Sequence, residues 1–400
     1  MNSLNVRAGI VVALSLLFAF AARASAADEP PFFPIMAWNH APGDPAVLKK
    51  MHECGITVAG FVYAKDLDAV HAAGMKGIVT DPRVGGYDWA NVDADVARKN
   101  VTALIAEVGN HPAVFGYYLR DEPPVPHFAG LEKVASVVRE LAPGKWPYIN
   151  LLPIYADAGQ LGTADYAQYL AKFVETCRPP ILSYDNYSLL DNGALRDGYW
   201  TNLEHMREAA VKAKIPFWNI VLAVAHFSYR EVSLADFRFQ AYTTLAYGGR
   251  GISYFTYFAP QVGNYRMAPI DQFGNTTPTW YSMQNVNLQI LKLAPTLLQL
   301  TSDRVYHFGE VPKGCSGVTD ASLLKGADND FMAGDFTHAD GSKWVMIVNR
   351  DVLKSRHCNP QFRTPPKKVR MLSPYTGQLL DFEGEQRFLA PGQGVLLKLE

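Results

Sequence analysis

The chain has 400 residues, 48% of them hydrophobic and 19% charged, with a formal net charge of -1 and a pI near 6.8. Those values fit an ordinary globular chain and exclude a low-hydropathy disordered protein, a polybasic nucleic-acid binder and a surface built for an anionic membrane. Aromatic residues are abundant, with 20 Tyr, 21 Phe and 7 Trp, and such rings serve either as core filling or as stacking faces for sugars.

The N-terminus carries the marks of an export signal. Arg7 supplies a positive charge, residues 8–22 an apolar run, and Ala24, Ser25 and Ala26 a small-residue cleavage site. Residues 1–26 therefore read as a signal peptide, with a periplasmic or extracellular destination. The run is too short, and too closely followed by that site, to favour a membrane anchor, and no later stretch is long enough to span a bilayer.

Strand and helix signals then alternate. The first strand falls at 34–39, followed by a helix that starts from Asp44 as N-cap with Pro45 in its first turn. The second falls at 56–62, with a helix at 66–73 stopped by Gly74. The third falls at 76–81 and precedes a helix at 92–108. The fourth, 114–122, leads to a helix at 128–142, and the fifth, 146–152, to one at 164–176. The sixth, 181–187, leads to a helix at 195–213, and the seventh, 217–227, to one at 234–247 capped by Ser233. The eighth, 251–259, leads to a helix at 279–300. Eight such units over residues 27–300 predict an α/β fold, a (β/α)8 TIM barrel. An open doubly wound sheet is the alternative, but no Gly-rich phosphate turn follows the first strand.

From residue 301 helical periodicity stops. Alternating runs at 331–336, 343–349, 368–372 and 394–399, separated by Gly, Pro and Asp clusters, predict a C-terminal antiparallel β-sandwich over 301–400. It lacks a cluster of acids, so its expected role is accessory. Four cysteines, Cys54, Cys177, Cys315 and Cys358, have no metal-ligand spacing. Cys54 and Cys177 are expected as buried thiols. Cys315 and Cys358 could pair in an oxidising compartment.

The most informative stretch is VFGYYLRDEPP, residues 114–124. Strict alternation places Gly116, Tyr118, Arg120 and Glu122 on one face, and Phe115, Tyr117, Leu119 and Asp121 on the other. The first face is expected to line the barrel interior, the second to pack on helices. Functional groups of such a barrel stand at the C-terminal ends of its strands. Those ends supply Trp38, Asn39 and His40, Tyr63, Asp81 and Arg83, Arg120 to Glu122, Asn150, Asp185 to Tyr187, His226 and Tyr257. Carboxylates for proton transfer, amides and Arg for hydroxyls, and rings for stacking make this a sugar-site composition.

Glu122 is the first candidate for a general acid, because burial and the charge of Asp121 both raise its pKa. Asp121 is expected to support the turn before Pro123. Glycoside hydrolysis needs a second carboxylate across the sugar. Asp185 is the candidate nucleophile or base, with a hydroxyl-binding role as its competitor. Asp81, which pairs naturally with Arg83, and Glu231 are weaker rivals. Trp38, Asn39, Asp81, Tyr118, Arg120, Asp121, Asn150, Tyr187, His226 and Tyr257 are the candidate substrate-binding residues; for His226 a satisfied near-core histidine is the competing reading. H-E-x-x-H and G-x-S-x-G are absent, so neither a metal nor another cofactor is expected.

The segment HPAVFGYYLRDEP, residues 111–123, resembles the fourth-strand acid/base segment of (β/α)8 glycoside hydrolases. RFQAYTTLAYGGRGISYFTY, residues 238–257, resembles the seventh-helix to eighth-strand segment of relatives of the family 42 β-galactosidases. The resemblance spans residues 32–300 and implies a clan A-like glycosidase with Glu122 as acid/base. It departs at two points: Asp121 stands where that clan has Asn, and 217–227 lacks the seventh-strand nucleophilic Glu. The expectation is thus a carbohydrate-active hydrolase, with no nucleic acid partner and no membrane insertion. A barrel that binds glycans without turnover, or a lyase, remains the alternative, and the oligomeric state is open.

Overall fold

Eight parallel strands close on themselves in sequence order. They are β1 Ile35–Ala37, β2 Val58–Val62, β3 Lys76–Val79, β4 Val114–Asp121, β5 Trp146–Leu151, β6 Leu182–Asp185, β7 Phe217–Leu222 and β8 Ile252–Phe255. β1 pairs with both β2 and β8, which leaves the sheet without an edge. This computed structural model describes residues 32–400; the expected signal at 1–26 lies outside the described residues. Phe33–Glu400 forms one compact unit.

Side-chain alternation explains the layers. Phe217 and Val221 of β7 join the core beneath the helices, as do Leu182 and Tyr184 of β6. The intervening residues point inward. Trp218 meets Phe115, Trp146 and Tyr148, which stand on β4 and β5 and are not its sheet neighbours, so these rings fill the barrel's interior. Asp44, Asp93, Asp165, Ser233 and Thr277 cap the helices that start after them, each accepting a backbone N–H of the first turn.

The observed barrel strands are shorter than expected, and three of them matter for the site. The sixth ends at Asp185, the seventh at Leu222 and the eighth at Phe255. The apolar residues beyond them belong to loops at the mouth of the barrel, which is where the pocket lies.

The helix Pro278–Leu297 leads into β9, Leu300–His307. The remaining strands are β10 Leu324–Gly326, β11 Phe331–His338, β12 Lys343–Asn349, β13 Arg356–His357, β14 Gln361–Phe362, β15 Val369–Leu372, β16 Leu379–Asp381, β17 Phe388–Leu389 and β18 Gly394–Leu399. Six form an antiparallel sheet in the order β16-β15-β18-β12-β11-β9. Trp344, Met346, Val348 and Leu396 face the barrel and share its core. Val345, Ile347, Val395 and Leu397 face the other way. The layer over that second face consists of two ribbons, β10–β14 and β13–β17. The sheet approaches the helix Leu234–Ala246 closely: a Cβ at Gly334 would lie 2.0 Å from the Ala246 carbonyl oxygen.

All four cysteines are free thiols. The Cys315–Cys358 pairing left open by the sequence is not formed. Cys358 is buried in the layer under the ribbons, whereas the Cys315 sulfur lies 3.6 Å from the Tyr247 hydroxyl.

Candidate active site

A cavity of about 260 Å³ opens at the C-terminal mouth of the barrel. Trp38, Asp121, Glu122, Asn150, Tyr155, Asp185, Tyr187, His226, Phe227, Tyr229, Phe255 and Tyr265 line it. The acids come from the ends of β4 and β6, and the rings from loops after β5 to β8 and from the end of β1.

Asn150 organises the acids. Its side-chain nitrogen donates to Asp121 Oδ1 at 3.0 Å and to Asp185 Oδ1 at 2.9 Å. Its oxygen accepts from Ser183 Oγ at 3.0 Å, and Ser183 in turn lies 2.8 Å from the Tyr148 hydroxyl. This chain fixes which way the amide points, because its oxygen faces a hydroxyl donor and its nitrogen faces the two carboxyls.

Strict alternation fails on β4 for a visible reason. The pairing with β5 shifts between Tyr118 and Arg120, so that Arg120 stands opposite Ile149 and Asp121 opposite Asn150. Asp121 therefore turns to the pocket, where the sequence had Arg120, and Arg120 is exposed outside it. Glu122 then takes φ +44°, a left-handed conformation that costs a non-glycine residue about 1–3 kcal/mol. Its backbone N–H bonds the Asn150 carbonyl at 2.9 Å. Both acids of the pair thus reach one pocket.

The carboxyls of Glu122 and Asp185 hydrogen-bond one another. Burial raises the pKa of Asp185 well above the carboxylate range, and the charges of Glu122 and Asp121 add to the rise. Burial also raises Glu122, with Asp121 adding and the Asp185 hydrogen bond opposing. Asp121 is raised by burial against the Asn150 bond. Glu122 is exposed at the mouth as a residue, yet enough protein surrounds its carboxyl for desolvation to lead. Lysine and arginine are absent from the described residues that line the pocket; Arg120, outside it, opposes the rise of Asp121.

The opposite wall is aromatic. Tyr187 lies 5.1 Å from Phe255 between ring centres, and His226 stacks on Tyr265 at 5.3 Å. His226 is buried, and its Nδ1 donates to the Val224 carbonyl at 2.9 Å. Burial, with Arg266 nearby, lowers its pKa and favours the neutral ring, in which Nε2 is the acceptor. Phe227 is 74% exposed with φ +47°. Asn264 clamps its peptide from both sides, accepting from Phe227 N at 2.8 Å and donating to its carbonyl at 3.1 Å.

Of the candidate residues, Trp38, Asp121, Glu122, Asn150, Asp185, Tyr187 and His226 meet here. The others do not line the cavity. Tyr118 stacks on Phe61 at 4.0 Å and meets Trp38 edge-on, so it supports the wall. Asn39 accepts from the Phe258 backbone. Tyr257 is buried and accepts from Trp280 Nε1 at 2.9 Å. Asp81 caps the short helix Pro82–Gly85 and pairs with Arg83, which holds its carboxyl below the usual range. Glu231 faces Arg266 at 3.7 Å outside the pocket. Sequence reasoning missed Tyr155, Phe227, Tyr229, Phe255 and Tyr265. Their one signal is a run of aromatics just past strands five, seven and eight. No group of three His, Cys, Asp or Glu suited to a metal ion occurs among the described residues.

No family model and no curated protein matches this chain in sequence. Its fold does match solved structures. A glycoside hydrolase family 5 protein from Bacteroides vulgatus aligns over 92% of this chain and 89% of its own, at 12% identity and a TM-score of 0.60. A β-galactosidase from the psychrophilic Marinomonas ef1 aligns over 65% of this chain at 12% identity and TM-score 0.52. One from the haloarchaeon Halorubrum lacusprofundi aligns over 66% at 10% identity and TM-score 0.51. The chain spans about 60% of the length of these two β-galactosidases. At such identities the likeness is one of fold alone: a closed (β/α)8 barrel.

Proposed function

We propose that the chain is an exported O-glycoside hydrolase in which Glu122 protonates the departing glycosidic oxygen. The observation that carries this reading is the Glu122–Asp185 carboxyl pair, with both pKa values raised, inside an aromatic-walled pocket at the barrel mouth. Burial and repulsion favour retention of a proton by the pair. Shared across the hydrogen bond, it is available at Glu122, the member nearer solvent. Transfer to the glycosidic oxygen accompanies cleavage of the bond to the anomeric carbon; water adds its oxygen to that carbon, and the proton it releases restores the pair. Trp38, Tyr187 and Phe255 give the sugar apolar faces, and Asn150 bridges Asp121 and Asp185.

Our reading of Asp185 differs from the nucleophile or base that the sequence suggests. A retaining pair stands about 5–5.5 Å apart with the sugar between its members, whereas these two carboxyls lie within hydrogen-bonding reach of each other. We assign Asp185 to the proton rather than to the anomeric carbon. A second reading, a glycan-binding barrel without turnover, is favoured by one observation: the wall from β7 and β8 offers His226, Phe227 and Phe255 but no carboxylate. Export rests on the sequence of residues 1–26 and is checked by N-terminal sequencing of the protein recovered outside the cytoplasm.

The test is a panel of aryl glycosides and oligosaccharides. Turnover of at least one by the wild type, and a loss of about 10²–10⁴ in kcat for Glu122→Gln, are expected. Binding without turnover, equal in both proteins, favours the second reading.

A further inference from the structure

A second hollow of about 1040 Å³ shares Tyr155 with the pocket. One wall is barrel: Tyr155 from the loop after β5, Arg196, and Trp200 in the first turn of the helix Tyr199–Ala213. The other wall comes from the segment between β9 and β10, with Glu310 and Lys313.

This groove is built rather than left over. Thr201 Oγ1 donates to the Lys313 carbonyl at 2.6 Å and ties the walls together. Gly314, at φ +76°, packs so closely that a Cβ there would lie 2.9 Å from Thr201 Cγ2. Arg350 pins the far wall by donating to the Phe308 carbonyl at 2.9 Å and the Glu310 carbonyl at 3.3 Å. At the junction, the Arg196 guanidinium sits 4.4 Å from the centre of the Tyr155 ring. It also donates to the Tyr229 hydroxyl at 3.1 Å, and Tyr229 lines the pocket. Arg196 and Tyr155 thus form a sill between the two spaces.

The chemistry of the groove narrows its occupant. Tyr155 and the half-buried Trp200 offer rings for stacking. Arg196, Lys313 and Arg350, the last engaged with wall carbonyls, stand with Asp197 and Glu310, all lining the groove. Mixed signs suit a hydroxyl-rich neutral chain and disfavour a polyanion. The pocket beyond the sill is several times smaller.

We infer that the groove binds the remainder of a neutral oligosaccharide whose terminal residue enters the pocket, so that the C-terminal segment contributes to substrate binding. The inference takes its ligand class from the hydrolase reading. The protein then acts on chain ends.

Calorimetric titration of the Glu122→Gln protein with neutral gluco-, manno-, galacto- and xylo-oligosaccharides, from monosaccharide to hexasaccharide, tests it. In at least one series affinity rises about tenfold with chain length, the scale of one or two ring contacts. Trp200→Ala and, separately, Lys313→Asp at an exposed site remove most of that gain, with melting curves confirming that each variant folds. No length dependence in any series, or a gain that survives both variants, overturns the inference. Turnover is scored separately: if the wild type cleaves no glycoside, the hydrolase reading falls while the length comparison still decides the groove.

Discussion

Asp121, Glu122 and Asp185 meet in one pocket, where the charge of Asp121 makes Glu122 harder to ionise and the charges of both make Asp185 harder to ionise. Such crowding of acids is costly, and it has a testable consequence. The charge of Asp121 raises both partners. Removing it in Asp121→Asn favours ionised Glu122, so its proton is lost at lower pH. The alkaline limb of the kcat/KM profile is expected to move to lower pH; an unmoved limb contradicts the proposed proton sharing. Asp185 should also remain unlabelled by a fluorinated glycoside that traps covalent intermediates, with peptide mass spectrometry as the readout. On the opposite rim, Asn264 holds Phe227 in its left-handed conformation. Asn264→Ala frees that ring, and a rise of about fivefold in KM with kcat nearly constant is expected, in line with loss of one stacking face.

At the scale of elements, the alternation of strand and helix was legible because buried parallel strands are continuous apolar runs and the helices between them carry real caps. Asp44 and Ser233 are examples, each accepting from its own first turn. The pocket's acids were legible by their position at strand ends. Their directions were not, since counting by twos assumes an unbroken ladder. The slip after Tyr118 exchanged the places of Arg120 and Asp121, and no residue type in RDE announces it. Strand lengths were overrun where aromatic loop residues imitate strand residues: Phe227 and Tyr257 look apolar enough to continue β7 and β8. Packing between sheet and helix gives a stability prediction at this scale. Gly334→Val would drive side-chain atoms into the Ala246 carbonyl and should cost about 1–3 kcal/mol, read as a lower urea midpoint. An unchanged midpoint would show that the sheet can move away.

Across the molecule, barrel and sheet meet at a buried polar relay. Arg350 donates to His307 Nδ1 at 3.2 Å, which leaves Nε2 to donate to the Tyr247 hydroxyl at 3.0 Å. Burial, with Arg350 adding, pushes the His307 pKa down to about 3. The unfolded chain takes up this proton near about pH 6.5. Its stabilising contribution is therefore complete above that pH and is lost as pH falls toward about 3. His307→Gln should flatten the acid limb of the stability profile, measured by thermal melts, whereas parallel losses in the two proteins would locate acid sensitivity elsewhere. The same seam forms the wall of the groove, so binding of long glycans and cohesion of the two parts share one structure. The central claim, that Glu122 gives its proton to the leaving group, is tested most directly by comparing two leaving groups. On a sugar leaving group, Glu122→Gln should lower kcat by about 10²–10⁴; on a dinitrophenyl glycoside, whose phenolate departs unprotonated, the loss should be small. Equal losses on both substrates would contradict it.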